Sequence, residues 1–155
     1  SEHEESIGMG TTIVLAILTK DFLLFVNIGD SSGYVLKNNK LSKITIDHTL
    51  VSLLVQSGEL TLEEAKDHPK KNVLMKALGA TSTIEMDIFD VERDVDGILL
   101  CSDGLTNMLD DEQITKVILD ENITLDERLK KLVTKSNNRG GTDNISIAYL
   151  KDGVK

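Results

Sequence analysis

The sequence predicts an α+β fold that consists mostly of antiparallel sheets, with helices packed on one face. Apolar, β-branched runs separated by tight turns predict consecutive strands. Two amphipathic stretches near the end of the chain predict surface helices. Between these regions, residues 47–79 carry short helical patterns that resemble a lid or flap inserted into a sheet. A length of 155 residues corresponds to one domain.

The first part of the chain predicts four strands joined by tight turns. Residues 12–19 and 22–28 are apolar runs that predict strands buried on both faces, with Lys20-Asp21 as their turn. Residues 33–37 and 40–46 predict two shorter strands joined by an Asn-Asn turn. Successive strands with short connections favour an antiparallel meander.

The 47–79 segment predicts three short helices. The first stops at Gly58, which suits a helix C-cap, and the second begins with the capping box Thr61–Glu64. The predicted helices cover residues 49–57, 62–67 and 72–78.

The remainder of the chain predicts three strands and two longer helices. A period-two alternation predicts the first strand, and continuous apolar runs predict the other two. Thr124 and Glu127 form the capping box of the second helix. The predicted strands cover residues 84–91, 97–102 and 144–150, and the predicted helices cover 111–119 and 125–136.

Composition excludes several classes of protein. The formal net charge of −9 repels phosphate backbones, which disfavours nucleic-acid binding. A single cysteine, Cys101, excludes an internal disulfide and a cysteine-based zinc cluster, and it suits a reducing cytosol. No apolar run approaches the ~20 residues that a membrane helix needs. We therefore expect a cytoplasmic protein that binds neither nucleic acid nor membrane.

Three aspartates share one local setting. Asp30, Asp103 and Asp143 each lie where a predicted strand meets a loop. Acidic side chains that converge at one sheet edge repel each other unless a cation neutralises them, and Mg²⁺ or Mn²⁺ prefers such oxygen ligands. A pair of these ions activates water for attack on phosphorus. Aspartates at strand ends are also ordinary turn residues, so spacing alone leaves both interpretations open.

Four motifs in order resemble the metal-dependent serine/threonine protein phosphatases of the type 2C (PPM) family, in its bacterial branch. The 47–79 segment, with Asp47-His48-Thr49 and His68-Pro69, is similar to the flap of that branch and its approach. The resemblance extends from Gly8 onward. The motifs are Gly8-Met9-Gly10-Thr11-Thr12, Asn27-Ile28-Gly29-Asp30-Ser31, Cys101-Ser102-Asp103-Gly104-Leu105-Thr106-Asn107 and Gly140-Gly141-Thr142-Asp143-Asn144.

The resemblance implies an α/β/β/α sandwich, in which two antiparallel sheets are flanked by helices. It also implies dephosphorylation of phosphoserine and phosphothreonine in proteins by direct attack of a metal-activated water. The implied cofactors are two catalytic Mn²⁺ or Mg²⁺ ions and a further third ion. Phosphorylated proteins and a bacterial Ser/Thr kinase are the implied partners.

The same resemblance assigns the metal ligands residue by residue. Asp103 and Asp143 are implied ligands of the second catalytic ion. Asp30, together with Asp103, is the implied ligand of the third ion. Asn107 lies where many relatives have a further acidic ligand, and its amide is a weaker candidate for that role.

The chain departs from the family at its start. The family's N-terminal part, with a phosphate-binding Arg and a metal-bridging Asp, has no counterpart, so we expect residues 1–155 to form a partial phosphatase domain, the C-terminal two-thirds, with a flap at 47–79. Alone, it should be weak or inactive, and its unpaired sheet edge invites self-association or a partner chain. The family's proposed general acid lies in the absent part, so His48 and His68 are expected to be structural.

Two alternatives remain at this stage. The chain could be a non-catalytic binding or scaffold module that keeps the phosphatase fold, or a structural α+β domain whose aspartates only form turns. Retention of all three aspartates favours the phosphatase, because clustered carboxylates destabilise a fold that does not use them.

Overall fold

A computed structural model describes residues 8–80 and 83–151 and contains two antiparallel sheets with helices beside them. The first sheet has three strands in the order β1-β2-β5, and the second has four in the order β4-β3-β6-β7. The strands are β1 (Ile13–Leu18), β2 (Leu23–Ile28), β3 (Ser32–Lys37), β4 (Lys40–Lys43), β5 (Asp87–Val91), β6 (Gly97–Cys101) and β7 (Ile147–Lys151). The helices are α1 (Leu50–Gln56), α2 (Leu62–Lys66), α3 (Asp103–Thr106), α4 (Asp111–Ile118) and α5 (Leu125–Asn138).

Two apolar layers hold these elements together. Between the sheets, Leu23 and Phe25 of β2 pack in one cluster with Val35 and Ile98 of the second sheet. On the opposite face of the second sheet, a larger cluster joins the strands to helices α3, α4 and α5. Its buried members are Tyr34, Leu36, Leu41, Leu99, Cys101, Leu105, Leu109, Ile114, Val117, Ile118 and Leu132. The expected packing of the two long helices on one face of the sheet is confirmed.

Strand β6 is buried on both faces because it lies in the middle of these layers. Ile98 belongs to the cluster between the sheets, and its neighbour Leu99 belongs to the cluster under the helices. Alternate side chains of a strand point to opposite faces, so both sets must be apolar. This position explains the continuous apolar sequence that predicted the strand.

Capping boxes fix the helix starts that the sequence predicted. The Thr124 backbone N–H donates to Glu127 Oε2 at 2.8 Å, and the Glu127 backbone N–H donates to Thr124 Oγ1 at 3.3 Å. Helix α2 has the same arrangement at Thr61 and Glu64. These bonds satisfy backbone donors that a helix start otherwise leaves free. Within residues 8–80 and 83–151, no helix combines the length and apolar character that crossing a membrane requires.

The strand pairing differs from the predicted meander. Strand β3 leaves β2 and pairs with β4 and β6 in the second sheet, so the chain crosses from one sheet to the other after Ile28. The prediction that β1 is buried on both faces is wrong, because Leu15 is 48% and Ile17 44% exposed. One face of β1 contacts the other sheet, and no described element covers the opposite face at these two residues.

Three other predicted elements need correction. Residues 72–78 are not helical. Leu74 and Leu78 form isolated β-bridges with Thr49 and Thr11, so the backbone of this segment is hydrogen-bonded to distant residues and not within a helical turn. The strands predicted at 84–91 and 144–150 begin only at Asp87 and Ile147. Helix α3, which begins at Asp103, was not predicted, because four residues carry no readable periodicity.

Truncation of a core leucine on α5 should test the helix layer. Leu132 is fully buried, so we expect Leu132→Ala to lower the free energy of unfolding by about 2–5 kcal/mol through lost burial and a new cavity. Leu62→Ala is the matched control, because Leu62 is also helical but 74% exposed, and should change stability by less than ~0.5 kcal/mol. Urea unfolding followed by circular dichroism measures both. Equal losses would contradict the core assignment.

Candidate metal centre

The strand register brings the three aspartates to one end of the second sheet. Cys101, the last residue of β6, is paired with Ser32 at the start of β3 and with Ile147 at the start of β7. Asp30 precedes β3 by two residues, Asp103 follows β6 by two, and the third aspartate precedes β7 by four. Antiparallel neighbours place the end of one strand beside the start of the next. The convergence predicted from sequence therefore follows from the pairing.

Ser102 and Gly104 hold the loop before β7 against the start of α3. The Ser102 hydroxyl donates to the Asn144 carbonyl at 3.0 Å and accepts from the Ser146 N–H at 2.9 Å. The Ser102 N–H donates to the Ser146 carbonyl at 3.0 Å. A Cβ at Gly104 would overlap the Asn144 carbonyl oxygen, so only glycine permits this approach. These contacts place the third aspartate near Asp103.

A separate set of bonds fixes the turn that carries Asp30. Gly29 adopts φ +106°, a conformation that glycine tolerates best, and its N–H donates to His48 Nδ1 at 3.1 Å. The Gly29 carbonyl accepts from the His48 N–H at 2.9 Å and from Asn27 Nδ2 at 3.1 Å. Both backbone polar groups of Gly29 are thus satisfied, and the turn has a defined position.

Asp30, Asp103 and Asp143 form an acidic cluster whose negative charges are poorly compensated by nearby cations. Burial raises the pKa of Asp103, and the negative charges of Asp30 and Asp143 raise it further. Burial also raises the pKa of Asp30, with further contributions from Asp47 and Asp143 that the Lys43 cation partly offsets. The aspartates are therefore close enough to repel one another. A bound cation would relieve this repulsion.

Asp47 is a fourth carboxylate of this region that the sequence did not single out. Burial raises its pKa, while the Lys43 ammonium, 2.8 Å away, lowers it, and the charge of Asp103 raises it. The sequence signal was only an Asp-His-Thr triplet at the start of the 47–79 segment. Its proximity to the cluster depends on the fold between β4 and α1, which no local pattern predicts.

Asn107 is a partner of Asp103 in this structure. Its Nδ2 donates to Asp103 Oδ2 at 3.1 Å, so its amide supports the carboxylate directly. Across the described parts of the chain, no three carboxylate, imidazole or thiol groups converge closely enough to hold one metal ion. The donor set suits a hard divalent cation in its chemistry but forms only part of a coordination shell.

The two histidines and the cysteine considered as functional candidates are held in contacts that stabilise the fold. His68 Nδ1 accepts from the Lys70 N–H at 3.1 Å within a surface turn. His48 is 8% exposed and bonded to the Gly29 turn. Cys101 is buried, and burial raises the pKa of its thiol to about 12, so the thiol is inert as a nucleophile.

A cavity of about 450 Å³ lies next to Asp47. It lies between the 47–79 segment and the first sheet, and Asp47 and His48 form part of its wall. Leu53, Met75 and Asp87 line it from α1, from the turns after α2 and from β5. The cavity therefore has apolar and acidic walls, and Asp47 is the residue that it shares with the surroundings of the three aspartates.

Fold and site together define a phosphatase-like sandwich with an acidic strand-end cluster. The family model described as Protein phosphatase 2C matches residues 1–144, and the chain belongs to this family. It is 44% identical over 145 residues to the serine/threonine phosphatase stp of Listeria welshimeri. That alignment covers 93% of the chain but only 57% of the relative, so the chain spans little more than half of the relative's length.

Solved structures show the same fold. The serine/threonine phosphatase Stp1 of Staphylococcus aureus superposes with a TM-score of 0.87 at 33% identity, over 97% of this chain and 59% of that one. The catalytic domain of the serine threonine protein phosphatase PstP, in complex with two manganese ions, gives a TM-score of 0.76 at 33% identity. That match covers 94% of this chain and 60% of that one. The predicted family and the two-sheet phosphatase fold are confirmed.

Neutralising Asp103 should stabilise the metal-free chain. Because its pKa is higher in the folded state than in the unfolded chain, its ionised form costs stability at neutral pH. We expect Asp103→Asn to raise the Tm at pH 7 in the presence of EDTA. The gain should shrink as pH falls through the raised pKa, and vanish below the unfolded value of 3.8, where the native carboxyl is neutral.

The control for this experiment is Asp21→Asn in the exposed turn between β1 and β2. It should leave the Tm nearly constant, because an exposed residue without buried partners contributes less than ~0.5 kcal/mol. A lower Tm for Asp103→Asn at pH 7, or a gain that does not depend on pH, would contradict the uncompensated cluster.

Proposed function

We propose that this chain is part of a metal-dependent protein phosphatase that removes phosphate from phosphoserine and phosphothreonine in proteins. The observation that carries the proposal is the convergence of Asp30, Asp103 and Asp143 at one sheet end, where burial and mutual repulsion raise the pKa of the first two. The names of the relatives as serine/threonine phosphatases support the substrate class.

Asp103 and Asp143 are the proposed ligands of the second catalytic ion. Asp30, with Asp103, is proposed to bind a third ion, and Asn107 is the weaker candidate beside them. Mn²⁺ or Mg²⁺, when bound, supplies a water of lowered pKa and neutralises charge on the phosphoryl group. The two manganese ions in the PstP structure support this choice of metal. The chain's own part is to hold its carboxylates together through the Ser102 contacts.

The chain is proposed to be a partial phosphatase domain, with residues 47–79 as its flap. The incomplete donor set among the described residues and the coverage of 57% of the Listeria relative both support this. The family's N-terminal part would complete the coordination shell and bring the phosphate-binding Arg. The partners would be phosphorylated proteins and a Ser/Thr kinase, and the location would be the cytoplasm.

Adding the N-terminal part of the family's domain to this chain should produce phosphatase activity. Alone, the chain should hydrolyse a phosphothreonine peptide slowly or not at all in Mn²⁺, because it holds only part of the donor set. Addition of an N-terminal segment from a full-length relative, which carries the family's phosphate-binding Arg and metal-bridging Asp, should produce Mn²⁺-dependent phosphate release. Colorimetric phosphate detection measures this.

Asp103→Asn should lower the restored rate by at least ~100-fold, since even groups that only orient metal ligands contribute about 10–100-fold. Asp21→Asn is the matched control and should retain the full rate. In differential scanning fluorimetry, millimolar Mn²⁺ should raise the Tm of the unsubstituted chain but not of Asp103→Asn. No activity in the mixture, together with no stabilisation by Mn²⁺, would favour the non-catalytic scaffold.

Strand β1 supports self-association as a second property. Among the described residues it pairs only with β2, and its sequence IVLAIL contains no charged residue that would discourage pairing with another chain. A recess of about 540 Å³ beside this strand is lined by Val14 of β1, Leu100 of β6 and Ala148 of β7. We propose that an unpaired β1 edge joins two copies of this chain.

A lysine on β1 should prevent this association. In size-exclusion chromatography with light scattering, the unsubstituted chain should become dimeric as its concentration rises, and Ile17→Lys should remain monomeric, because edge lysines block strand pairing. Leu62→Lys introduces the same charge at a 74% exposed position on α2 and should still dimerise. A monomeric unsubstituted chain at all concentrations, or equal behaviour of both variants, would contradict the proposal.

A further inference from the structure

We propose that His48 is a positioning residue that holds the Gly29–Asp30 turn in place and links it to the 47–79 segment. This inference rests on the proposed function, because it concerns how Asp30 is presented to a metal ion. The side chain of His48 is only 7% exposed, and its backbone and its ring both contact the turn.

The contact between His48 and Gly29 is reciprocal. The Gly29 N–H donates to His48 Nδ1 at 3.1 Å, and the His48 N–H donates to the Gly29 carbonyl at 2.9 Å. Gly29 is buried, so its N–H would be left without water or another acceptor if the ring were removed. A Cβ at Gly29 would also overlap the side chain of Thr12. The turn therefore has little freedom to find a different arrangement.

The second ring nitrogen connects His48 to the first sheet. Because Nδ1 accepts a hydrogen bond, the neutral ring carries its proton on Nε2. That atom lies 3.1 Å from Asp87 Oδ2 at the start of β5, a close approach without the alignment of a hydrogen bond. Asp87 is in turn paired across the strands with Asn27, which also donates to the Gly29 carbonyl. The ring thus spans the distance from β5 to the turn.

The backbone of His48 connects the turn to the 47–79 segment. The His48 carbonyl accepts from the Met75 N–H at 2.7 Å, and the Leu50 N–H donates to the Val73 carbonyl at 2.9 Å. A shift of this returning segment would consequently move His48, and with it Gly29 and the adjacent Asp30. His48 is in this sense a mechanical link between the wall of the cavity and a proposed metal ligand.

Two substitutions separate the functions of the two ring nitrogens. His48→Asn places an amide oxygen near the position of Nδ1, which keeps an acceptor for Gly29 but cannot reach Asp87. His48→Gln places its amide near the position of Nε2, which keeps the contact with Asp87 but removes the acceptor. The inference predicts that the asparagine variant preserves the turn and the glutamine variant does not.

Amide hydrogen exchange of the metal-free chain, followed by NMR, measures how well the Gly29 N–H in the turn is protected. We expect the Gly29 amide to exchange at least tenfold faster in His48→Gln than in the unsubstituted chain, and at nearly the unsubstituted rate in His48→Asn. The Leu99 amide in the buried β6 is the internal control and should stay protected in both. Equal Gly29 exchange in the two variants would overturn the proposal.

Titration with Mn²⁺ alone then tests the link to Asp30. His48→Gln should raise the Mn²⁺ midpoint by about tenfold, the range typical of groups that orient a metal ligand, and His48→Asn should restore it. In an Asp30→Asn background, His48→Gln should have no further effect, which a general loss of stability would not produce. Additive effects in the double variant would overturn the positioning function.

The outcomes distinguish this inference from the proposed function. Failure of the unsubstituted chain to bind Mn²⁺, together with no activity in the complemented mixture, would contradict the proposed function without reference to His48, and the link to a metal ligand would fall with it. Normal Mn²⁺ binding in a His48→Gln variant whose Gly29 amide exchanges rapidly would overturn only the inference.

Discussion

The double pairing of β6 is the constraint on which the rest of the structure depends. This strand is hydrogen-bonded to β3 on one side and β7 on the other, and Ile98 and Leu99 bury its two faces in different clusters. Its position is fixed by pairing in the plane of the sheet and by packing above and below it. Because β3 starts, β6 ends and β7 starts at the same end of this sheet, the three loops that carry aspartates emerge together. The strand register brings the three loops together, and the side-chain contacts then fix the positions of the aspartates within them.

The fold maintains this convergence at an electrostatic cost. The pKa of Asp30 and that of Asp103 are raised by burial and by neighbouring carboxylates, so both are less favourable as anions in the folded chain than in water. Specific contacts oppose the repulsion: Asn107 donates to Asp103, and Lys43 lies beside Asp47. Carboxylates that a fold holds together against their mutual repulsion are typical of a cation-binding site. The metal site that we propose at these aspartates agrees with membership of the protein phosphatase 2C family.

Backbone hydrogen bonds attach the 47–79 segment to the sheets, and the segment has almost no buried apolar core of its own. Val51 is the only buried hydrophobic residue in its described part, and Leu53, Leu62 and Met75 are more than half exposed. The bridges of Leu74 and Leu78 and the bonds around His48 fasten its ends to the sheets. Few buried apolar contacts with several fastening points are typical of a segment that opens more easily than the sandwich beneath it.

The sequence by itself predicted the α+β class, the two long helices and the capping box of α5, and it singled out the three aspartates, because these features depend on local periodicity and on short motifs. It did not determine that β3 changes sheets, that residues 72–78 are bridged instead of helical, or that one face of β1 is exposed. Those depend on which distant backbone groups pair, and a short apolar pattern suits a strand or a helix equally well. Likewise, Asp47 and His48 gained their positions beside the cluster only from tertiary structure, because their partners, Asp103 and Gly29, lie far from them in the chain.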